Sequence, residues 1–244
     1  MRRLWITAFL LVSFTASAKS PTDNYTAVTL KDLTEFSSHF PTIDLNDDIA
    51  YSEYLKVTSC DIYRSLKDNQ FKLQEAKQAL IKERQSAGKY DRDLYFYIPV
   101  TFLTSGYNFD TQALTIVQEN QLDRVNNFQL FNDMSPVCGE RLTLQKTPYN
   151  YRVKLNFPIS LRRIPLQKTA AEAVINKLDP SASNTSAKII YGNIYLQIDP
   201  VAPDLLRPPE KSFVSVHGQV NYINLYVDQD RKILFKQMNY SDAF

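Results

Sequence analysis

Ser215 and His217 stand two residues apart in the run from Phe213 to Val227, which reads as a strand, so their side chains share one face and suggest acyl-transfer chemistry. Such a pair also needs a carboxylate to orient the imidazole and donors for an oxyanion, and no G-x-S-x-G elbow occurs in the chain. Gln219 and Asn221 continue the same parity, so the stripe reads as a solvent-facing polar face. A secreted hydrolase using Ser215 and His217 stands as the alternative reading.

Other reactive side chains are few. His39 and His217 are the only histidines and Cys60 and Cys138 the only cysteines, too sparse a set for a zinc site. A Cys60 nucleophile with His39 as base is the other thiol chemistry to weigh, but in an oxidising compartment a lone pair of cysteines is expected as a disulfide. Asp228 and Asp230 resemble half of a calcium loop, yet no Gly stands at its sixth position and no Glu at its twelfth, so they read as a turn. Asp47 and Asp48 would point about 100° apart on a helix and cannot face one substrate together. Five glycines leave no phosphate-cradling loop. No cofactor and no metal are expected.

Charge segregation points to binding instead. Asp32, Glu35, Asp44, Asp47, Asp48 and Glu53 fall between residues 32 and 55, with no Lys or Arg among them. From Arg141 to Ala171 there are seven basic residues, among them Arg152, Lys154, Arg162 and Arg163, and no acid. Tyr149, Tyr151 and Phe157 are interleaved with these cations, a combination suited to lipid headgroups, a cell-wall polymer or an acidic protein surface. The competing expectation is that the two blocks face each other or are ordinary outward strand positions. Of the fifteen tyrosines, Tyr95, Tyr97, Tyr191 and Tyr195 also read as outward.

The elements that must carry these residues divide by period. Ile62, Leu66, Leu73, Ala76 and Leu80 recur at helical spacing, with Asn46, Asp47 and Asp48 as a cap, which predicts helices over 47–66 and 69–86 after a short one near 29–39. From Leu94 the period becomes two. Strands are predicted from Leu94 to Leu103, at Ala113 to Val117, Asn127 to Phe131 and Tyr151 to Phe157, then over Ile189 to Ile198, Phe213 to Val227 and Lys232 to Gln237. Pro99 places the first at an edge or a bulge, and Thr169 to Leu178 reads as one further helix. The segment from Asp199 to Lys211, holding four prolines, reads as a flap.

The start of the chain reads as an address. Arg2 and Arg3, an apolar run to Phe14 and the sequence Thr15-Ala16-Ser17-Ala18 fit a secretory signal over residues 1–18, too short to span a bilayer. Its removal leaves 26 basic and 26 acidic side chains, a balance that argues against a nucleic-acid partner. The expectation is therefore one α+β domain over 19–244, with amphipathic helices over about 29–88 and a mostly antiparallel sheet with one further helix over about 90–240. It would be an exported, soluble bacterial binding or assembly factor of the periplasm, the envelope or the exterior, with a protein or an anionic envelope component as partner. An accessory subunit of a secretion or surface machine is a further alternative.

Overall fold

In a computed structural model the chain is described over residues 21–86, 90, 93–132, 136–141, 150–181, 187–206 and 213–240. The expected leader and Tyr149 lie outside these residues. Among the described residues the fold combines helices with a large mixed sheet, 28% helix against 43% strand, so the sheet sets the architecture.

Local chemistry starts the helices. Thr29 caps α1 (Leu30–Ser37) by accepting from the Asp32 N–H at 3.1 Å. Asp47 caps α2 (Asp48–Thr58), its carboxylate accepting from the Ile49 and Ala50 N–H groups at 3.0 Å each. Asn69 does the same for α4 (Gln70–Ser86), accepting from Lys72 N–H at 3.1 Å. The single helix expected over 47–66 is two, because Ser59 (φ −150°, ψ 63°) leaves helical geometry before α3 (Cys60–Leu66) begins. The break turns Ile62 off the shared apolar face, where it is 50% exposed.

The helices α2 to α4 enclose a small core of Ile43, Leu45, Tyr51, Tyr54, Leu55 and Tyr63, against which Leu73, Ala76 and Leu80 pack. Cys60 and Cys138 are joined as a disulfide with Cα atoms 5.4 Å apart. Beside it, Lys56 reaches the Glu140 carboxylate at 2.7 Å and the Tyr63 hydroxyl donates to the same group at 3.2 Å. The Lys56 ammonium holds the Glu140 carboxyl below the usual carboxylate range.

Ten strands form the sheet: β1 (Thr26–Ala27), β2 (Leu94–Asn108), β3 (Ala113–Ile116), β4 (Leu122–Asn132), β5 (Asn150–Leu161), β6 (Arg163–Pro165), β7 (Lys188–Ile198), β8 (Asp204–Leu206), β9 (Phe213–Tyr226) and β10 (Leu234–Asn239). The helix α5 (Lys168–Ile175) follows β6. The hydrogen-bonded path runs β4-β5-β9-β7-β2-β3-β6, with β1 on β2 and both β8 and β10 on β9. Because β6 resumes directly past Arg162 from β5, the path returns to the strand it passed through. The mostly antiparallel sheet expected from sequence is a mixed one: β1 runs parallel to β2, and β5 parallel to β9. The chain between β5 and β9 is long enough, with α5 and β7 inside it, to make the crossover a parallel pair requires.

The inward residues make the main core. They include Tyr151, Val153 and Leu155 from β5, Ile194 and Leu196 from β7, Val214 and Val216 from β9, and Leu33 and Phe36 from α1. Pro99 sits within β2 opposite Asn193 of β7, while on the other side of β2 the strand partners β1 and β3 cover residues 96–97 and 104–108. Pro99 thus falls in the gap between them, where a missing N–H leaves no ladder incomplete among the described residues. The loop from Val227 to Ile233 closes the β9–β10 hairpin on Asp228, whose carboxylate accepts from Lys232 and Ile233 N–H at 3.0 and 2.7 Å. This is the turn expected there.

Candidate functional site

Alternation along β5 sends Arg152 and Lys154 outward and Tyr151 inward. Tyr151 is fully buried, its hydroxyl among those of Thr34 and Ser37 on α1, and burial pushes that phenol up to about 12. Its ring belongs to the main core with Leu33 and Phe36 of α1 and offers nothing to a surface partner. Phe157 shares the parity of Tyr151 but lies outside at 44% exposure, because β5 carries extra residues between its Val125–Ile159 and Asn127–Lys154 pairings with β4.

The sheet register sets the neighbours of the two outward cations. Arg152 lies between Gln129 on β4 and Ser215 on β9, with its guanidinium 4.5 Å from the centre of the Phe213 ring. Lys154 lies between Asn127 and His217. Neither pairs with a carboxylate among the described residues. Arg162 and Arg163 sit apart from them, at the bend into β6, up to about 30 Å along the strand. There Arg162 is already paired with Asp123 at 2.6 Å, while Arg163 is exposed opposite Thr115. The acidic block does not face these cations. Asp47 caps α2, Asp48 pairs with Lys77 and Glu35 with Lys31.

The same face carries the Ser215 and His217 pair. His217 Nε2 lies 3.0 Å from the Asp204 carboxylate of β8, a partner hidden from sequence reasoning in the proline-rich segment. No hydrogen bond joins Ser215 to His217, and Ser215 is buried beneath that strand pairing rather than solvent-facing. Asp204 thus orients the imidazole, and Ser215 is not joined to it.

A second outward region lies across β2, β7 and β9. Tyr25, just before β1, meets Tyr95, Tyr195 and Tyr222 edge-on with ring centres 5.3, 5.1 and 6.3 Å apart, and its hydroxyl accepts from the Asn221 amide at 2.9 Å. The Tyr195 and Tyr226 hydroxyls share a hydrogen bond of 3.3 Å, while the Asn193 amide donates to Tyr195 at 3.4 Å and that of Asn224 to Tyr226 at 3.3 Å. Burial pushes Tyr226 up to about 12, so its hydroxyl stays neutral throughout the physiological range. Tyr97, Tyr195, Tyr226 and Asn193 line a cleft of about 570 Å³, bordered by Asp23, Asp230 and Arg231. Of the tyrosines expected outside, Tyr95 and Tyr97 lie here half-buried, whereas Tyr195 is only 6% exposed because the Tyr25 ring packs against it. Tyr191 lies nearby under Arg231, whose guanidinium is 5.9 Å from its ring.

Comparison with known sequences places this architecture in one family. Residues 44–177, more than half of the chain, match the family described as a domain of unknown function, DUF4852, and the chain belongs to it. The matched segment runs from the helical core to just past α5 and includes Cys60, Cys138, Arg152 and Lys154. No curated protein and no solved structure matches the chain.

Proposed function

We propose that the protein is an exported bacterial binding or assembly factor of the periplasm, the envelope or the exterior, and that it meets an anionic partner through the outer face of β5 and β9. The observation that carries this reading is the pair Arg152 and Lys154. Both are held outward by strand parity, lack a carboxylate partner among the described residues, and lie beside Phe213 and His217. A cation braced on an aromatic ring loses less freedom on meeting an anion than one on a free tether. The disulfide suits an oxidising compartment, and no helix among the described residues is long and apolar enough to cross a membrane.

Each cation near an anionic surface contributes on the order of 1 kcal/mol. The double variant Arg152→Gln/Lys154→Gln is therefore expected to bind phosphatidylglycerol vesicles roughly 30-fold more weakly than the parent at low salt. Arg162→Gln/Arg163→Gln should lose less, because Asp123 already satisfies Arg162. Vesicle co-sedimentation over a salt series measures both. Equal retention of the parent and the first double variant would remove the support for this surface.

A further inference from the structure

We propose that the tyrosine and asparagine cleft over β2, β7 and β9 is a binding site for a short, neutral saccharide. The proposal is independent of the anionic partner assigned to β5, since it rests on other residues on another part of the sheet.

Asn193 carries the argument furthest. Its side chain belongs to a residue only 7% exposed, lines the cleft, and has an amide oxygen with no hydrogen-bond partner. A buried amide oxygen without a partner is costly, so a ligand hydroxyl that reaches it on a small shift of the Asn193 side chain gives it the partner it lacks. The groups around it are hydroxyls and rings: the buried Tyr195 and Tyr226 and the half-buried Tyr25 and Tyr97. Flat rings beside amides that both donate and accept suit a sugar, which presents C–H faces to the rings and vicinal hydroxyls to the amides.

The rim disfavours a charged ligand. Asp230 is paired with Lys232 at 3.0 Å, Arg231 donates to the Gly192 and Gln229 carbonyls at 3.3 and 3.2 Å, and Asp23 has partners of its own. A proline-rich peptide also docks on tyrosines, but its backbone offers chiefly carbonyls. A carbonyl can only accept, whereas a hydroxyl serves the Asn193 amide as donor and acceptor alike. The cleft volume of about 570 Å³ lies in the range of small-ligand sites, enough for a few sugar rings rather than a polymer's full width.

The test is calorimetric titration of the disulfide-intact protein with cellotriose, maltotriose and triacetylchitotriose, and with a proline-rich decapeptide. At least one trisaccharide is expected to bind. Asn193→Ala and Tyr97→Ala should each weaken that binding tenfold or more, because a site built around hydrogen bonds penalises their loss heavily. Tyr97 is half-exposed, so its variant stays informative if the buried Asn193 variant fails to fold. Arg152→Gln/Lys154→Gln should leave sugar binding unchanged. Three trisaccharides silent at millimolar concentration, binding indifferent to Tyr97→Ala, or binding of the peptide alone would each overturn the proposal.

Discussion

Replacing Cys60 and Cys138 together by serine is expected to lower stability by about 4 kcal/mol, the chain-entropy value for a loop of this length. The bond closes a sequence separation of 78 residues and ties the helical core to the segment following β4. That core has six buried hydrophobic residues, and beside the disulfide its tie to residue 140 is the Lys56–Glu140 pair with Tyr63. An ion pair with a partly exposed carboxylate contributes little by comparison. The loss should therefore fall on α2 to α4. Thermal denaturation should show a midpoint lower by roughly 8–16 °C, and hydrogen exchange should show amides of residues 48–86 losing protection before those of β7 and β9. Reduction of the parent should reproduce both effects. A double variant with the parent's midpoint would contradict the role given to this bond.

Gly218→Ala should destabilise the sheet by about 2–3 kcal/mol, as expected where added atoms have no room. Gly218 pairs with Leu155 of β5 on one side and Ile198 of β7 on the other. A Cβ there would press on the Gln197 carbonyl and come within 3.2 Å of the Ile198 Cα. Backbone on the crowded side cannot swing away as a side chain can. Gly192→Ala is the internal comparison. Its nearest obstacles are the Val100 and Leu225 methyl groups at 3.1 and 3.3 Å and the Asn224 carbonyl at 3.3 Å, so a cost near 1 kcal/mol is expected. Denaturant midpoints of the two variants rank these costs. Equal midpoints would contradict the packing described at the β5–β9–β7 junction.

Strand parity was readable where one face of a strand packs against the core. Leu94 to Leu103 and Tyr151 to Leu155 alternate in the sequence as they do in the fold. The same pattern misplaces residues wherever a register shift intervenes. Phe157 lies outside beyond one such shift. Between Val220 and Tyr222 another transfers the inward parity of β9 from Val216 and Val220 to Ile223 and Leu225, which brings Tyr222 and Tyr226 to the outer face with Asn193 and Tyr195. The cleft also takes Tyr25 from the far end of the chain. Its composition therefore arises from long-range register, which no local pattern encodes. The Asp204 partner of His217 was hidden for a related reason: its segment looks like a loop in sequence, and Asp204 to Leu206 becomes a strand only by pairing with β9. Conversely, Asp47 and Asp228 act on backbone groups within five residues of themselves, and such local caps and turns were legible in advance.

The central claim, an anionic partner on the outer face of β5 in the envelope, is tested most directly by placing a photocrosslinking amino acid at position 127, beside Lys154 on β4, and irradiating intact cells of the organism that makes the protein. The account predicts a discrete adduct that weakens as salt is raised, and no comparable adduct from position 71, where Phe71 is 85% exposed on α4. Absence of any adduct from position 127, or the same adducts from both positions, would contradict it.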